Sequence, residues 1–259
     1  MTVPFENDTG NIVRKLARKS LKSEKRRNLM VVIAVALASC LICFSIVMAL
    51  STRQIEKNHV EDTYEAVYTR ITEEDVSTLK GLDDFSRVGE YYMLAVEPAE
   101  QGYNASYIYC DEETMYIARD QMKLLEGRLP QKEDEVVVSR YFLSNYGADA
   151  GIGEKVMLSS ESFHGEYTVT GIMEGYKEKE VNGSSILLSK EALKGWSGYD
   201  PADYRAYVHF KNEQQMDETE LTARSREIAK EYQLEMPVMN LSYMKFYKQP
   251  VNVSMLALV

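Results

Sequence analysis

The sequence predicts an α+β domain, built of mixed sheets with short helices, carried on one N-terminal transmembrane helix. Three observations lead there. The run "LMVVIAVALASCLICFSIVMAL", Leu29 to Leu50, holds no charged residue. The remaining chain mixes strand-like and helix-like segments without regular βαβ alternation. The composition, 45% hydrophobic and 27% charged, is that of a folded chain rather than a disordered one.

The uncharged run comes first because it orients everything else. At about 1.5 Å per residue it reaches roughly 33 Å, enough for a hydrocarbon core of about 30 Å. A buried core helix would rarely lack every charge for so long. The run also exceeds the h-region of a cleaved signal peptide, about 7–15 residues, and no small-x-small cleavage site follows it. Charge is divided around it. Residues 1–50 carry eight Lys and Arg against three Asp and Glu, a formal +5, so the chain total of -10 leaves -15 for the rest. The bases lie just before the span, and only Arg53 and Lys57 follow it closely. The positive-inside rule then places residues 1–28 in the cytoplasm and residues from 51 onward outside the plasma membrane. An acidic body of this kind does not suit nucleic acid.

The basic segment Asn11–Arg27 has a helical pattern. Ile12, Val13, Leu16, Ala17 and Leu21 share one face and bases fill the other. Such a helix lies along the inner membrane surface against lipid; the plainer reading is a stop-transfer flank. After the span the helix continues as a stalk and gives way to a strand near Glu65–Ile71. Thr72–Leu82 has a Thr cap and acids in its first turn, the signature of a short helix ended by Gly81. Val88–Val96 and Ser106–Tyr109 are rich in aromatic and branched residues and predict strands. In Glu112–Glu126, Met115, Ala118, Met122 and Leu125 recur at helical spacing, and Gly127 would end that helix. Glu135–Ser139 predicts a strand, Arg140–Tyr146 a short helix stopped by Gly147. Strands follow at Lys155–Ser159, Tyr167–Met173 and Ser185–Leu188, then a helix at Ser189–Trp196 and a strand at Tyr204–Phe210. Asp217–Tyr232 is a polar helix with Leu221, Ile228 and Ala229 inward, and Met236–Met239 a last strand. The chain ends in apolar Met255–Val259, which predicts the start of a second membrane helix in a longer protein.

The domain boundaries expected are therefore 1–28 (cytoplasmic basic helix), 29–50 (span), 51–254 (extracytoplasmic domain with its stalk) and 255–259 (second span).

A search for chemistry finds little. The chain has no phosphate-cradling G-x-x-x-x-G-K-[ST] and no H-E-x-x-H. His59, His164 and His209 are far apart in sequence. Gly195–Gly198, "GWSG", lacks the second Gly a nucleophile elbow needs, since Tyr199 stands there. Cys40 and Cys43 lie in the apolar run, leaving Cys110 alone in the outer region. No catalytic, metal or cofactor residues are expected.

One stretch does look built: "EGRLPQKEDEVVVSRYFLSNYG", Glu126 to Gly147. Gly127 supplies a left-handed step and Pro130 fixes the next turn. Arg128 can pair with one of the following acids and pin the loop. Glu135–Val138 gives a strand buried on both faces, and Ser139 can cap the next helix.

That order resembles the outer core domain of MacB-like and FtsX-like ABC transporter permeases. In that family a G-R-x-P turn leads to an acid, a V/I strand and a Ser-led helix, followed by a G-x-x-V strand and a y-x-V-x-G-I strand. The matching positions are Gly127, Arg128, Pro130, Glu135, Ser139, Gly153, Tyr167 and Gly171, with Val156, Val169 and Ile172 beside them. "KLARKSLKSEKRRNLMVVIAVALA" is similar to the family's cytoplasmic helix and first span. The resemblance implies a permease subunit that pairs with a separate cytoplasmic ABC ATPase, so that ATP hydrolysis sits on the partner and not on this chain. It implies a homo- or heterodimer of permeases in the membrane, with a lipoprotein or peptide as substrate. The alternative from another class is a single-pass sensor or binding protein with an extracytoplasmic ligand domain.

Overall fold

The computed structural model describes residues 9–23, 25–99, 102–145, 150–175, 178 and 182–248. Two expectations, the stop at Gly147 and the second span at Met255–Val259, lie outside them. The described residues divide into two compact units, one within residues 9–55 and the other within residues 56–248.

The first unit contains helix α1, Thr9–Ser23, and most of helix α2, Lys25–His59. In α1 the apolar side chains Ile12, Val13 and Leu16 are exposed. Among the described residues α2 is the one helix long and apolar enough to cross a membrane. None of its residues is buried by protein. Such a surface is stable only where lipid replaces water, since its backbone bonds close within the helix while its side chains have no protein core to enter.

The second unit is a mixed sheet. Its strands are β1 (Ala66–Ile71), β2 (Phe85–Pro98), β3 (Asn104–Cys110), β4 (Met122–Gly127), β5 (Glu135–Ser139), β6 (Lys155–Ser159), β7 (His164–Gly175), β8 (Gly183–Leu188), β9 (Tyr204–Phe210) and β10 (Val238–Met239). Among the described residues they pair in the order β10-β1-β9-β2-β3-β8-β5-β7-β4, with β6 on β7. The β3/β8 and β5/β7 pairs are parallel and the others antiparallel. This is the α+β class that the sequence predicts.

Alternation along the strands divides the core into two faces. Tyr68, Tyr92, Val136, Val138, Ile186 and Tyr204 point to one face. It is covered by α3 (Glu73–Lys80), α5 (Arg140–Asn145), α6 (Lys190–Gly195) and α7 (Glu218–Glu231), through Val76, Phe142, Leu193, Leu221 and Ile228. Val67, Tyr91, Ile108, Val137, Leu187 and Tyr207 point to the other, where the helix packed on them is the short α4, Glu112–Ile117. The cap expected at Thr72 forms. Thr72 accepts from the Asp75 N–H while Asp75 accepts from the Thr72 N–H, a closed capping box. Asp217 and Glu220 close a second capping box at α7, and Ser189 caps α6 by accepting from the Ala192 N–H alone.

A contact between Glu65, just before β1, and His209 ties that end of β1 to β9. Glu65, fully buried, accepts from the Phe210 N–H at 2.7 Å and meets His209 Nδ1 at 2.8 Å. Burial raises the Glu65 carboxyl, and its charge outweighs burial at His209 and raises that imidazole.

The segment Glu112–Glu126 corrects the expected single helix. α4 stops at Ile117, a turn follows, and Met122–Gly127 is strand β4, antiparallel to β7. Met115, Ala118 and Met122 do enter one cluster, but from a helix, a turn and a strand. Leu125 falls in a bulge between Leu124↔Met173 and Glu126↔Ile172. The free edge of β7 decided the outcome: strand pairing satisfies its backbone groups, which a helix there would leave unpaired. Gly127 therefore ends a strand and not a helix.

Candidate functional site

The residues singled out from the sequence converge on β7. Gly127 has φ +82° and pairs with Gly171 across β4/β7. The two backbones are so close there that a Cβ on Gly127 would lie 2.2 Å from the Thr170 carbonyl oxygen, and one on Gly171 would lie 2.8 Å from the Arg128 oxygen. Only glycine fits in either place. Just past the crossing the Arg128 N–H donates to Thr170 O at 3.0 Å. The Arg128 guanidinium then forks onto Glu135, with Nη1 to Oε2 at 2.8 Å and Nη2 to Oε1 at 2.7 Å. The Gln131 N–H donates to the same carboxylate at 2.8 Å. Arg128 and the Gln131 N–H together hold the Glu135 carboxyl down at about 2. Pro130 sits between these partners, half-buried.

Glu135 opens β5, whose five residues are all buried. At its far end Ser139 accepts from the Phe142 N–H at 3.0 Å, capping α5, and meets the Ser184 hydroxyl at 2.7 Å. The Gly153 N–H donates to Val169 O at 2.8 Å, and Tyr167 stands opposite Val156 across β6/β7. Gly127, Arg128, Pro130, Glu135 and Gly171 thus lie together at the loop between β4 and β5, while Gly153 and Tyr167 lie at β6/β7 and Ser139 at the far end of β5. Within the set, the Arg128–Glu135 fork is the side-chain contact, and the glycines act through the close approach of their backbones.

A second feature carried no signal in the sequence. On the sheet face packed by α4 lies a hollow of about 390 Å³. Its apolar wall is Tyr64, Tyr91, Met93, Ile108 and Met122. Tyr64 and Tyr91 both pack edge-on against Tyr207, with ring centres at 4.7 Å and 5.6 Å. The turn between α4 and β4 lays Asp120 and Gln121 against this wall, and the Gln121 amide donates to the Tyr64 hydroxyl. The Asp120 Oδ1 atom is buried and has no hydrogen-bond partner among the described residues. Burial raises its carboxyl to about 6. Asp120 was missed because the sequence reads as unbroken helix across this turn. A break in that periodicity would have been the only clue, and Met122 and Leu125 hide it.

Among the described residues no cluster of three or more His, Cys, Asp or Glu could hold a metal ion. Cys110 is buried and its thiol is pushed up by burial, which makes it a core residue and not a reactive one.

A mixed sheet with helices, joined in one chain to a helix able to span a bilayer, defines the outer domain of a membrane protein. Residues 29–226 match the sequence model of the MacB-like periplasmic core domain. The chain belongs to that family, and it is an ABC transporter permease component of the MacB and FtsX type. Membership implies an ATPase partner and dimeric assembly.

Three solved structures are similar. The extracellular domain of the ABC-type transporter YknZ from Gram-positive bacteria is 15% identical, with a TM-score of 0.48, covering 69% of this chain and 100% of that one. A domain of a permease protein from Porphyromonas gingivalis is 15% identical, with a TM-score of 0.47, over 76% and 97%. The periplasmic region of MacB from Actinobacillus actinomycetemcomitans is 11% identical, with a TM-score of 0.48, over 71% and 91%. No curated protein matches the chain significantly.

Proposed function

We propose that this chain belongs to a permease subunit whose outer domain transmits ATPase-driven motion to export or extract a lipoprotein, peptide or similar substrate. The observation that carries the reading is the family match itself. It covers both the apolar helix and the sheet in one stretch, residues 29–226. The unbroken course of α2 from Lys25 to His59 supports it, because a helix without a Gly or Pro break carries a displacement along its axis.

The N-terminus is cytoplasmic in this reading and residues from 51 onward are outside, from the bases that precede the span. α1 lies on the inner leaflet, its apolar stripe in the headgroup region and its bases toward anionic lipid. The ATPase is a separate subunit, and hydrolysis takes place there. The family-motif residues Gly127, Arg128, Pro130, Glu135, Ser139, Gly153, Tyr167 and Gly171 serve to stiffen the sheet half around β7 so that it moves as a body.

Copurification of the full-length protein from native membranes tests this. An ABC ATPase should come with it, and inserting Gly-Gly between Thr52 and Arg53 should leave that association intact while abolishing transport-dependent ATPase stimulation. Recovery of a histidine kinase or other signalling partner in place of an ATPase would move the assignment to the sensor reading. Topology is checked on intact cells with single cysteines at Lys19 and Glu231, both exposed. Cys110 is too buried to report it. Labelling at Glu231→Cys only is expected; labelling at Lys19→Cys only would invert the arrangement.

A further inference from the structure

The hollow beside Asp120 plays no part in the Arg128–Glu135 fork or in the transport reading, and its chemistry is distinctive. A carboxylate oxygen that is buried and unpaired is costly: it has left water without gaining a donor. Of the basic side chains nearby, His59 lines the same hollow but makes no hydrogen bond to this oxygen. The Arg119 side chain is turned to the Glu61 carbonyl and to Asp62, 3.6 Å away, with its guanidinium over the Tyr116 ring. Around the carboxylate the wall sets Tyr64, Tyr91, Met93 and Met122 beside the polar His59, Asn240 and Ser242.

A single carboxylate in an aromatic wall is a poor site for a hard metal ion, which demands six or more oxygens. It suits an organic cation. The ammonium brings three donors and a full charge to an oxygen that lacks both, the ring faces attract it further, and an alkyl stem is matched by Met and Tyr side chains. The volume, about 390 Å³, lies within the range of small-ligand pockets, about 300–1,000 Å³, and is far larger than one water needs.

We propose that this hollow binds a primary alkylammonium group, pairing its charge with Asp120 and laying its stem against Tyr64, Tyr91, Met93 and Met122. The group can come from a lysine side chain on a polypeptide or from a small free amine. The inference stands on the cavity and holds whether or not the subunit transports what it binds there.

The test uses the full-length chain in detergent and isothermal titration with three probes: acetyl-Leu-Lys-Leu-amide, its isosteric counterpart with norleucine in place of lysine, and n-butylamine. The lysyl peptide should bind at least about tenfold more tightly than the norleucine peptide, the effect of one charge-assisted contact. Asp120→Asn should bring the lysyl peptide down to the norleucine level and leave the norleucine peptide unchanged. Binding of butylamine as well would identify the free amine as a sufficient ligand, while binding of the peptide alone would require a polypeptide source. A second variant, Met93→Trp, fills the hollow without touching Asp120 and should abolish binding of the lysyl peptide. The proposal is overturned if the two peptides bind alike, if Asp120→Asn in a folded protein retains the preference, or if Met93→Trp binds as the parent does.

Discussion

Replacing Gly127 with alanine separates two costs that usually come together, because the sheet carries its own control. Gly127 and Gly153 have nearly the same backbone, φ +82° and φ +89°. A Cβ at Gly153 would meet nothing within 4 Å, whereas one at Gly127 would lie 2.2 Å from Thr170 O and 2.7 Å from the Gly171 Cα. Both variants suffer the left-handed penalty of an L residue, about 1 kcal/mol. Gly127→Ala must also push β4 off β7 by more than an ångström. That adds about 1–3 kcal/mol of overpacking, and it strains the Arg128 N–H to Thr170 O bond, worth about 1 kcal/mol. The expectation is about 1 kcal/mol for Gly153→Ala and about 3–4 kcal/mol for Gly127→Ala. In a unit of about 200 residues this is a fall in Tm of roughly 2–4 °C against roughly 6–15 °C. The Glu56–Val251 unit contains both hydrophobic clusters, so urea unfolding followed by circular dichroism on that fragment reads the difference directly. Equal losses in the two variants would show that the β4/β7 crossing tolerates a side chain and that the close approach is not what fixes glycine there.

Three more outcomes follow from the charged groups. Glu135→Gln removes a carboxylate whose folded value, about 2, lies below its ordinary 4.5. Its contribution is therefore present above about pH 4.5 and lost as pH falls through 2. With the Arg128 side chain half exposed, screening reduces it to about 1–2 kcal/mol, so parent and variant should differ at pH 7 and converge near pH 2 in urea titrations. Asp120 has the opposite sign. Its value is raised from 3.8 to about 6, so the protonated form stabilises the fold below about pH 4 and that stability is lost as pH rises through 6; Asp120→Asn should gain about 2 kcal/mol at pH 7 and nothing at pH 4, measured on the ligand-free protein. Glu65→Ala leaves the Phe210 N–H and His209 buried without their acceptor and should cost about 3–5 kcal/mol by the same assay; a loss under 1 kcal/mol would mean that water enters the site.

Most of the fold was legible because its elements are locally determined. The strands of Val, Ile and Tyr, the capped helix after Thr72 and the helices begun at Ser189 and Asp217 read correctly, since period and turn residues agreed. The Arg128–Glu135 fork was legible to the extent that one of the nearby acids would be the partner; the structure chooses Glu135, which the Pro130 turn brings back onto the guanidinium. The segment from Arg119 to Gly127 was not legible. Its apolar residues satisfy both a helical and a strand pattern, and local preference offers no choice between them. The hollow was illegible for the same reason, because Asp120 becomes part of it only when that turn forms.

The amino-acid order by itself determined which part of the chain is apolar enough to require lipid, that the chain beyond it is acidic, and where the Thr72 cap and the Pro130 turn fall. These are properties of single segments, set by transfer of side chains from water and by backbone preference. The tertiary structure alone decided that residues 122–127 form a strand, that Gly127 and Gly171 face each other, and that a half-buried carboxylate lines a cavity. Each of these depends on a partner distant in sequence, the edge of β7 or the wall of β2 and β3, whose unpaired backbone or side-chain surface outweighs what the local segment would do alone.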